Sequence, residues 1–303
     1  MAHYYSLNQY LMETFHTKVY KIALNGNMSC PNRDGSIGHK GCIFCSEGGS
    51  GDFAGSPSLS ITEQIEAGKQ KLSGKYKGSF YIAYFQAYTN TYASVSYLEK
   101  LFTEALAHPD VVCLSVATRP DCLDRDKIVL LSRLSQVKPV WVELGLQTIH
   151  EKSAAYIRRG YNLSVFERAM ELLNEAGIET VVHMIIGLPH ESESMILDTA
   201  RYIGRCGAKG IKLQLLHVLK NTDLAVDYEK GSFQVLSLED YTHILTEIIK
   251  ILPKDMVIHR LTGDGAKKLL IAPLWSADKK NVLNTLNNAF EANNITQGSD
   301  FTP

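Results

Sequence analysis

The sequence predicts an α/β fold made of repeated strand–helix units. Six short apolar segments, rich in Val, Ile and aromatic residues, recur along the 303-residue chain and lack strict alternation of polar and apolar side chains. Such segments are typical of strands that are buried on both faces of a parallel sheet. Segments with helical periodicity lie between them. Strands that alternate with helices in this way indicate βαβ units with right-handed crossovers.

The predicted elements follow one another in regular order. Strands are expected at residues 19–24, 79–85, 111–117, 139–146, 179–186 and 210–218. Helices are expected at residues 59–72, 95–107, 128–134, 163–176, 192–206 and 238–252. Asp124 suits the N-cap of the third helix, and Gly177 and Gly207 suit the left-handed position that ends the fourth and fifth helices. Periodicity alone leaves open a doubly wound sheet and a curved, incomplete (β/α)6 barrel of TIM-like form. Both architectures put the chemistry at the carboxyl ends of the strands.

The chain divides into a core and an extension. Residues 1–252 are predicted to form the βα core, and residues 253–303 a C-terminal extension that packs on it. Within the extension, residues 256–261 have the composition of a further strand and residues 278–292 have the periodicity of a helix. The remainder is loop-like, so we do not expect an independent domain there.

Composition and charge limit the class of partner. The chain has 31 Lys and Arg against 32 Asp and Glu, so a nucleic-acid partner must be recognised by a local basic patch. No apolar run approaches the roughly 18–20 residues that span a bilayer, so no membrane partner is expected. Residues 1–11 lack the basic and apolar regions of a signal peptide. We therefore expect a cytoplasmic protein, with its cysteines reduced.

Three of the six cysteines, Cys30, Cys42 and Cys45, lie within sixteen residues just after the first predicted strand. The loop that carries them is taken as residues 25–55. The Cys-x-x-Cys spacing of the last pair lets two thiolates meet one metal ion or neighbouring irons of a cluster. The position after a strand puts this loop at the catalytic end of the βα array.

Three interpretations of this loop compete. A structural zinc ion needs four ligands, and His39 is a candidate for the fourth. A thioredoxin-like redox pair would use only Cys42 and Cys45 and would leave Cys30 without a role. A [4Fe–4S] cluster held by three cysteines would keep one iron open for a cofactor. The place of the loop in the βα array favours the cluster.

Over nearly its whole length the chain resembles the radical S-adenosylmethionine (SAM) superfamily. The cysteine gaps, eleven residues and then two, differ from the superfamily's common spacing of three and then two. The longer first gap is similar to the branch that contains the Elongator catalytic subunit. A small bacterial group within that branch shares residues 20–35 (YKIALNGNMSCPNRDG), 215–220 (LLHVLK) and 272–276 (APLWS). The resemblance implies the partial (β/α)6 barrel of radical SAM type, a [4Fe–4S] cluster on the three cysteines, and SAM.

The resemblance also implies SAM contacts on the amino-terminal half of the array. Phe44 matches the aromatic residue that precedes the third cysteine. Thr118 occupies the end of strand three that faces the cofactor, and Gln147 matches a residue that helps to hold the SAM ribose and amino acid part. The Gly-Gly-Glu or Gly-Gly-Thr loop that receives the SAM amino group in the family is replaced here by residues 86–91 (QAYTNT). The amino-group contact is therefore not carried over.

Three further residues are carried over from later units. Arg159 matches an arginine that meets the SAM carboxylate, a role that suits a bidentate guanidinium. His183 takes the place of an aspartate that binds the ribose. Gly187 matches the strand-five turn beside the adenine. Catalytic residues other than these cofactor ligands are not identified.

The resemblance implies the following function. One electron from the cluster cleaves SAM to methionine and a 5′-deoxyadenosyl radical, which abstracts hydrogen from the substrate. The Elongator-like branch suggests a tRNA wobble uridine as substrate, with a carboxymethylaminomethyl group at position 5 processed toward an aminomethyl group. A flavodoxin or ferredoxin-type electron donor is the expected partner. The alternatives are radical SAM chemistry on a small molecule and a zinc-binding module without enzymatic activity.

Overall fold

The computed structural model describes residues 3–49, 51–73, 78–263, 265 and 267–303, and within them seven parallel strands form one curled sheet. The strands follow one another in chain order across the sheet, so each crossover helix returns the chain to the next position. This curled half-barrel confirms the predicted partial TIM-like barrel. Its strands are β1 (Val19–Leu24), β2 (Phe80–Phe85), β3 (Val111–Thr118), β4 (Val140–Gln147), β5 (Glu179–Ile186), β6 (Gly210–Leu215) and β8 (Val257–Arg260).

Helices cover the outer face of this sheet and supply the crossovers. Their bounds are α1 (Leu7–Phe15), α2 (Ile61–Ser73), α3 (Val95–Ala107), α4 (Arg125–Ser135), α5 (Glu151–Tyr156), α6 (Leu163–Glu175), α7 (Glu193–Arg205), α8 (Asp223–Glu229), α9 (Leu238–Ile251) and α10 (Lys279–Ala292). Short 3₁₀ helices lie at Pro120–Cys122 and Leu274–Ala277. Asp124 caps α4 by accepting a hydrogen bond from the backbone N–H of Lys127, as predicted. Gly177 and Gly207 have the expected positive φ angles.

Helix α1 closes the amino-terminal end of the half-barrel. Its Leu11 packs in one apolar cluster with Val19, Ile82, Cys113 and Trp141, which point inward from the first four strands. Cys113 is fully buried there, in agreement with the packing role that its apolar surroundings indicate. The interior is therefore sealed by side chains at this end, and any open space lies toward the carboxyl ends of the strands.

Two predicted boundaries differ from the structure. The expected strand at 210–218 is two elements, because β6 ends at Leu215 and β7 (Val218–Leu219) pairs antiparallel with β9 (Leu270–Ala272). Residues 253–303 do not only pack on the barrel, because β8 from this segment pairs in parallel with β6 and becomes the edge strand of the main sheet. The barrel thus has one strand more than the six predicted from the repeats.

No helix in the described part of the chain is long and apolar enough to cross a membrane.

Candidate active site

The three clustered cysteines lie on the loop after β1 and line one cavity at the carboxyl ends of the strands. Backbone hydrogen bonds close both cysteine turns, from the N–H of Arg33 to the carbonyl of Cys30 at 2.8 Å and from the N–H of Cys45 to the carbonyl of Cys42 at 3.0 Å. All three thiols are half-buried. The structure therefore brings together the residues that the sequence selects as metal ligands.

Asn32 ties this loop to the barrel. Its side-chain amide donates to the carbonyl of Arg158 at 2.6 Å and to the Cys42 sulfur at 3.5 Å. The backbone carbonyl of Asn32 accepts a hydrogen bond from the N–H of Gly41 at 2.7 Å, which draws the two halves of the loop together. Asn32 is only 4% exposed, so these bonds are shielded from water. The position of Cys42 is thus set by a buried side chain.

The environment of the cysteine pair favours a thiolate at Cys42 and a thiol at Cys45, whose hydrogen bond to Cys42 holds its pKa well above the usual value. A hydrogen bond from the Cys45 thiol lowers the pKa of Cys42 to about 7, although burial acts in the opposite direction. The positive charge of Arg119 lowers the pKa of Cys42 further, and so does the Asn32 amide. A thiolate is the form that binds iron or zinc. The donor set at this cavity wall therefore fits a metal-sulfur group held by three cysteines.

The zinc alternative finds less support. His39, its candidate fourth ligand, is exposed, and its ring lies against Gly35. In the described part of the chain, no group of three or more His, Cys, Asp or Glu side chains is arranged to hold a single metal ion. Ligands of a cluster bind different irons and need not converge on one point.

The cavity has a volume of about 170 Å³ and lies between the cysteine loop and the strands. Phe44, Thr118, Gln147, Arg159 and His183 all line it. Gly187, in contrast, is not one of its lining residues. It has a positive φ angle of 87° and packs against Leu236, so it shapes the turn after β5.

Two lining residues offer acceptors to a ligand. Thr91 donates its hydroxyl proton to the carbonyl of Cys122 at 2.7 Å, so Thr118, 2.6 Å from the Thr91 oxygen, is the donor in that pair. The Thr118 oxygen then has only lone pairs left for a cavity ligand. The side-chain carbonyl oxygen (Oε1) of Gln147 is buried and lacks a hydrogen-bond partner among the described residues. Both fit a ligand that carries N–H or O–H groups.

Arg159 lies in the cavity wall with its guanidinium donors largely occupied. It is 2% exposed and donates to the carbonyls of Tyr161 at 2.9 Å and Thr148 at 2.7 Å, with longer contacts to Leu146 and Glu151. These bonds fix the chain that follows β4. Its assignment to the SAM carboxylate stays a prediction, and its clearest task in this structure is to hold that segment.

Glu143 is the centre of a buried polar network at the cavity floor. It is fully buried and accepts hydrogen bonds from Lys21 at 2.7 Å, Ser115 at 2.8 Å and His183 at 2.8 Å, and from Lys212. Burial alone would raise the pKa of Glu143, but the charges of the two lysines hold it well below its usual value. The carboxylate is therefore ionised and fully engaged.

The partners of Glu143 have shifted pKa values for the same reason. Burial, followed by the charge of Lys212, lowers the pKa of His183 to about 4, so its imidazole is neutral near pH 7. Burial also lowers the pKa of Lys212 to about 7, against the attraction of Glu143. Tyr84 completes the group, because its hydroxyl accepts a hydrogen bond from the Lys212 ammonium at 3.1 Å.

Sequence reasoning missed Lys21, Ser115 and Lys212 as site residues and gave Glu143 no role of its own in the site. A signal for them was present. Each is a polar residue in the middle of an apolar strand, as in VYKIAL and GIKLQL. A charged residue inside such a strand is costly unless it is paired, so several of them predict an interior network. Which of these residues contact one another depends on the order of the strands in the sheet, which the sequence does not specify.

Comparison with known proteins shows the family of the chain. The sequence matches the Radical SAM superfamily over residues 34–203 and the Radical_SAM C-terminal domain over residues 208–292. It is 43% identical over 298 residues to uncharacterized protein YtqA of Bacillus subtilis, which covers 98% of this chain and 92% of that protein. It is 38% identical to protein YhcC of Escherichia coli, over 89% of this chain and 86% of that protein.

More distant relatives and solved structures extend the comparison. Human Elongator complex protein 3 is 24% identical over 58% of this chain and 31% of its own length, and tRNA uridine(34) acetyltransferase of Methanocaldococcus jannaschii is 24% identical over 50% and 28%. The structure of Methanocaldococcus infernus Elp3 matches with a TM-score of 0.71 at 17% identity, over 93% of this chain and 64% of that one. Streptococcus suis SuiB bound to S-adenosylmethionine matches with a TM-score of 0.51 at 11% identity, over 86% and 51%.

A half-barrel with three cysteines after its first strand defines a radical SAM enzyme, and the chain belongs to the radical SAM superfamily. Its similarity to Elongator complex protein 3 and to tRNA uridine(34) acetyltransferase is lower, at 24% identity. The family's cofactors are a [4Fe–4S] cluster and SAM, for which Cys30, Cys42 and Cys45 and the acceptors Thr118 and Gln147 are the residues that fit. When bound, the cluster supplies the electron that cleaves SAM. The chain's own part is to hold the cofactors and to shield the reaction.

Proposed function

We propose that this enzyme modifies the 5-substituent of a tRNA wobble uridine, taking carboxymethylaminomethyl groups toward aminomethyl groups. The bond between the nitrogen and the carboxymethyl carbon would break, SAM would serve as the two-electron oxidant, and water would release the two-carbon unit as glyoxylate. The observation that carries the proposal is the similarity to a protein named tRNA uridine(34) acetyltransferase, together with that to Elongator complex protein 3. These similarities cover 58% and 50% of the chain. The direction of the modification follows from the resemblance to the bacterial group with the same loop motif.

The surroundings of the cavity suit an RNA substrate. A second opening, lined by His217, Leu219 and Gly265, shares Phe44 and Arg260 with the main cavity and is therefore adjacent to it. At the same opening Phe53 is 58% exposed, and an exposed aromatic ring can stack an unpaired base. A nucleobase could thus approach the cysteine loop from this side.

Exposed lysines lie near this second opening. The N–H of Lys220 donates to the carbonyl of Leu269 at 2.7 Å, which brings Lys220 next to the turn that carries Lys267 and Lys268. All three lysine side chains are exposed. Such a local group supplies phosphate contacts that the overall charge of −1 does not.

The lysines of residues 69–77 form a basic run in the sequence, but they give the proposal little support. Lys69 is paired with Glu66 at 2.8 Å and with Asp110 at 2.7 Å, so its charge is neutralised at the surface. Lys75 and Lys77 lie outside the described residues. The β7–β9 side of the barrel is therefore the surface on which we place the RNA backbone.

The proposed reaction needs an electron source and a reducing environment. A flavodoxin or ferredoxin-type protein is the partner that we propose, docked close to the cysteine loop because electron transfer falls off with distance. The cytoplasm provides such carriers, tRNA and reduced thiols together. The half-buried cysteines are close enough to the surface for such docking.

The proposal is tested by deleting the gene from its host and measuring the nucleosides of bulk tRNA by mass spectrometry. We expect carboxymethylaminomethyl uridines to accumulate and aminomethyl-derived forms to decrease. Wild-type and Cys113→Ala genes should restore the profile, whereas Cys42→Ala should not. An unchanged nucleoside profile in the deletion strain would remove the RNA substrate and leave a small molecule as the alternative.

A further inference from the structure

The interior of the half-barrel contains one layer of polar side chains between the apolar base and the cysteine loop. Strands β1 to β6 and β8 each contribute one residue to it, and these residues are Lys21, Tyr84, Ser115, Glu143, His183, Lys212 and Arg260. Strand pairing places several of them at the same height, since Lys212 is opposite His183 on one side and Arg260 on the other. This layer is the floor of the main cavity.

The floor layer has more positive than negative groups. Lys21 and Arg260 are cations, Lys212 is partly protonated near pH 7 because its pKa is about 7, and Glu143 is the one carboxylate among the seven residues of this described layer. The pKa of His183 lies near 4 and that of Tyr84 well above its usual value, so neither side chain is charged near pH 7. A buried group with an excess of cations is unfavourable until an anion joins it.

Lys212 is the cation best placed to receive that anion. It is 4% exposed and lines the cavity, and among the described residues its ammonium bonds only to Glu143 and Tyr84. An ammonium has three donors, so one remains for a ligand. Arg260 lines the same wall.

The cations nearer the cysteines differ in this respect. Arg119 forms a two-pronged ion pair with Asp121, at 2.9 and 2.7 Å, and Arg159 donates mainly to backbone carbonyls. Both guanidinium groups also stack on the ring of Tyr161, at 4.9 and 4.8 Å from its centre. The guanidinium groups of Arg119 and Arg159 are therefore already engaged. Lys212, in contrast, shares the one carboxylate of Glu143 with Lys21.

We propose that Lys212 forms a binding site for a carboxylate of the substrate at the cavity floor. This inference rests on the proposed function, because the carboxymethylaminomethyl group ends in a carboxylate of suitable size. It assigns Lys212 as a residue that distinguishes this substituent from one without the carboxylate. The charged donor and the shielded position give such a contact high selectivity.

The methionine part of SAM also carries a carboxylate, so two sources share this chemistry. Lys212 lies three residues before the end of β6, roughly 10 Å below the rim at 3.3 Å per residue. The cysteines lie on the loop above that rim, after β1. A carboxylate at the floor therefore belongs to the substituent that reaches into the barrel, and we assign it to the substrate.

The experiment compares N-methylglycine with dimethylamine, which reproduce the end of the substituent with and without the carboxylate. Binding of each to the cluster-loaded protein with SAM is measured by calorimetry for wild type, Lys212→Met and a control, Lys138→Met. Lys138 is a partly buried lysine that donates to the carbonyls of Leu106 and His108, away from the cavity. Methionine keeps the apolar stem of Lys212, and unfolding curves verify that each variant is folded.

We expect wild type and Lys138→Met to bind N-methylglycine at least tenfold more tightly than dimethylamine, the discrimination expected of a charged hydrogen bond, and Lys212→Met to lose this preference. SAM affinity should be the same in all three proteins. No carboxylate-dependent binding by wild type, or an equal preference in Lys212→Met, would overturn the proposal. A matching loss of SAM affinity in Lys212→Met would assign the site to SAM instead and overturn it as well.

A second arm separates this proposal from the proposed function. Formation of 5′-deoxyadenosine is measured with tRNA whose wobble uridine carries the carboxymethylaminomethyl group. If tRNA has no effect on wild type while N-methylglycine binding depends on Lys212, the carboxylate site stands and the RNA substrate is wrong. If tRNA stimulates wild type and Lys212→Met equally, the RNA substrate stands and the carboxylate site is wrong.

Discussion

The Lys212 ammonium on β6 donates a hydrogen bond to the Glu143 carboxylate on β4, although strand β5 lies between them. The two side chains meet across the interior of the curled sheet, beneath the cavity that the three cysteines line. A flat sheet would hold these strands two spacings apart, roughly 10 Å. Curvature of the barrel thus creates the contact, and the ion pair links the fold to the chemistry of the cavity floor.

Loss of the Glu143 charge should strongly destabilise the protein. Glu143→Gln leaves Lys21 and Lys212 buried with no carboxylate, which typically costs about 3–5 kcal/mol of the free energy of unfolding. The exposed pair of Arg133 and Glu99 provides a control, for which Glu99→Gln should cost less than about 1 kcal/mol. Urea unfolding measures both. Equal, small effects would show that the network does not stabilise the barrel.

The low pKa of Lys212 predicts a pH dependence of stability. Its pKa is about 7 in the folded protein and about 10.5 when unfolded, so between these values the unfolded chain binds more protons. The contribution of Lys212 to the free energy of unfolding therefore rises as pH rises from 7 to 10.5. The full cost of burying its protonated ammonium is present below pH 7. Lys212→Met removes that contribution. The stability of wild type relative to Lys212→Met should rise between pH 7 and pH 9 in urea titrations, and a constant difference would contradict the assigned pKa.

The turn after β5 predicts unequal effects of two glycine substitutions. Gly187 and Gly177 both have positive φ angles, of 87° and 66°, so alanine at either position costs about 1–2 kcal/mol of backbone strain. A Cβ atom on Gly187 would also lie 3.0 Å from a methyl group of Leu236, whereas none of the described atoms lies within 4 Å of one on Gly177. Gly187→Ala should therefore lower the thermal midpoint more than Gly177→Ala. The reverse order would show that the contact with Leu236 relaxes freely.

The assignment of the cysteines predicts a clear contrast between two alanine variants. Cys42→Ala should abolish both the bound iron and the cleavage of SAM, because it removes one of three ligands. Cys113→Ala should retain iron, sulfide and activity and lose only packing energy, since its side chain is buried in the apolar base. Iron and sulfide analysis after anaerobic reconstitution measures the effect. Full iron content in Cys42→Ala would refute the ligand assignment.

The sequence was informative where the evidence is local. The strand repeats, the Asp124 cap and the cysteine loop each depend on neighbouring residues, and all could be located before the structure was considered. The split of residues 210–218 into β6 and β7 could not, because it depends on pairing with β9 some fifty residues later. Likewise β8 joins the sheet through a contact with β6 that no local pattern specifies.

The site divides in the same way. The cysteine loop is one continuous segment, so its three cysteines could be chosen as candidate ligands from the sequence. The floor network joins residues from separate strands, such as Lys21 and Glu143, which lie more than a hundred positions apart. Arg159 shows the opposite difficulty, because its motif implied a cofactor contact while its burial and backbone bonds also give it a structural task.

The central claim is that this radical SAM enzyme acts on a wobble uridine, and one reaction tests it most directly. The reconstituted protein is incubated anaerobically with SAM, a reductant and tRNA that carries carboxymethylaminomethyl uridine, and both 5′-deoxyadenosine and the tRNA nucleosides are quantified. We predict that 5′-deoxyadenosine forms together with loss of the carboxymethylaminomethyl nucleoside and gain of the aminomethyl nucleoside. Formation of 5′-deoxyadenosine with the nucleosides unchanged would contradict the claim.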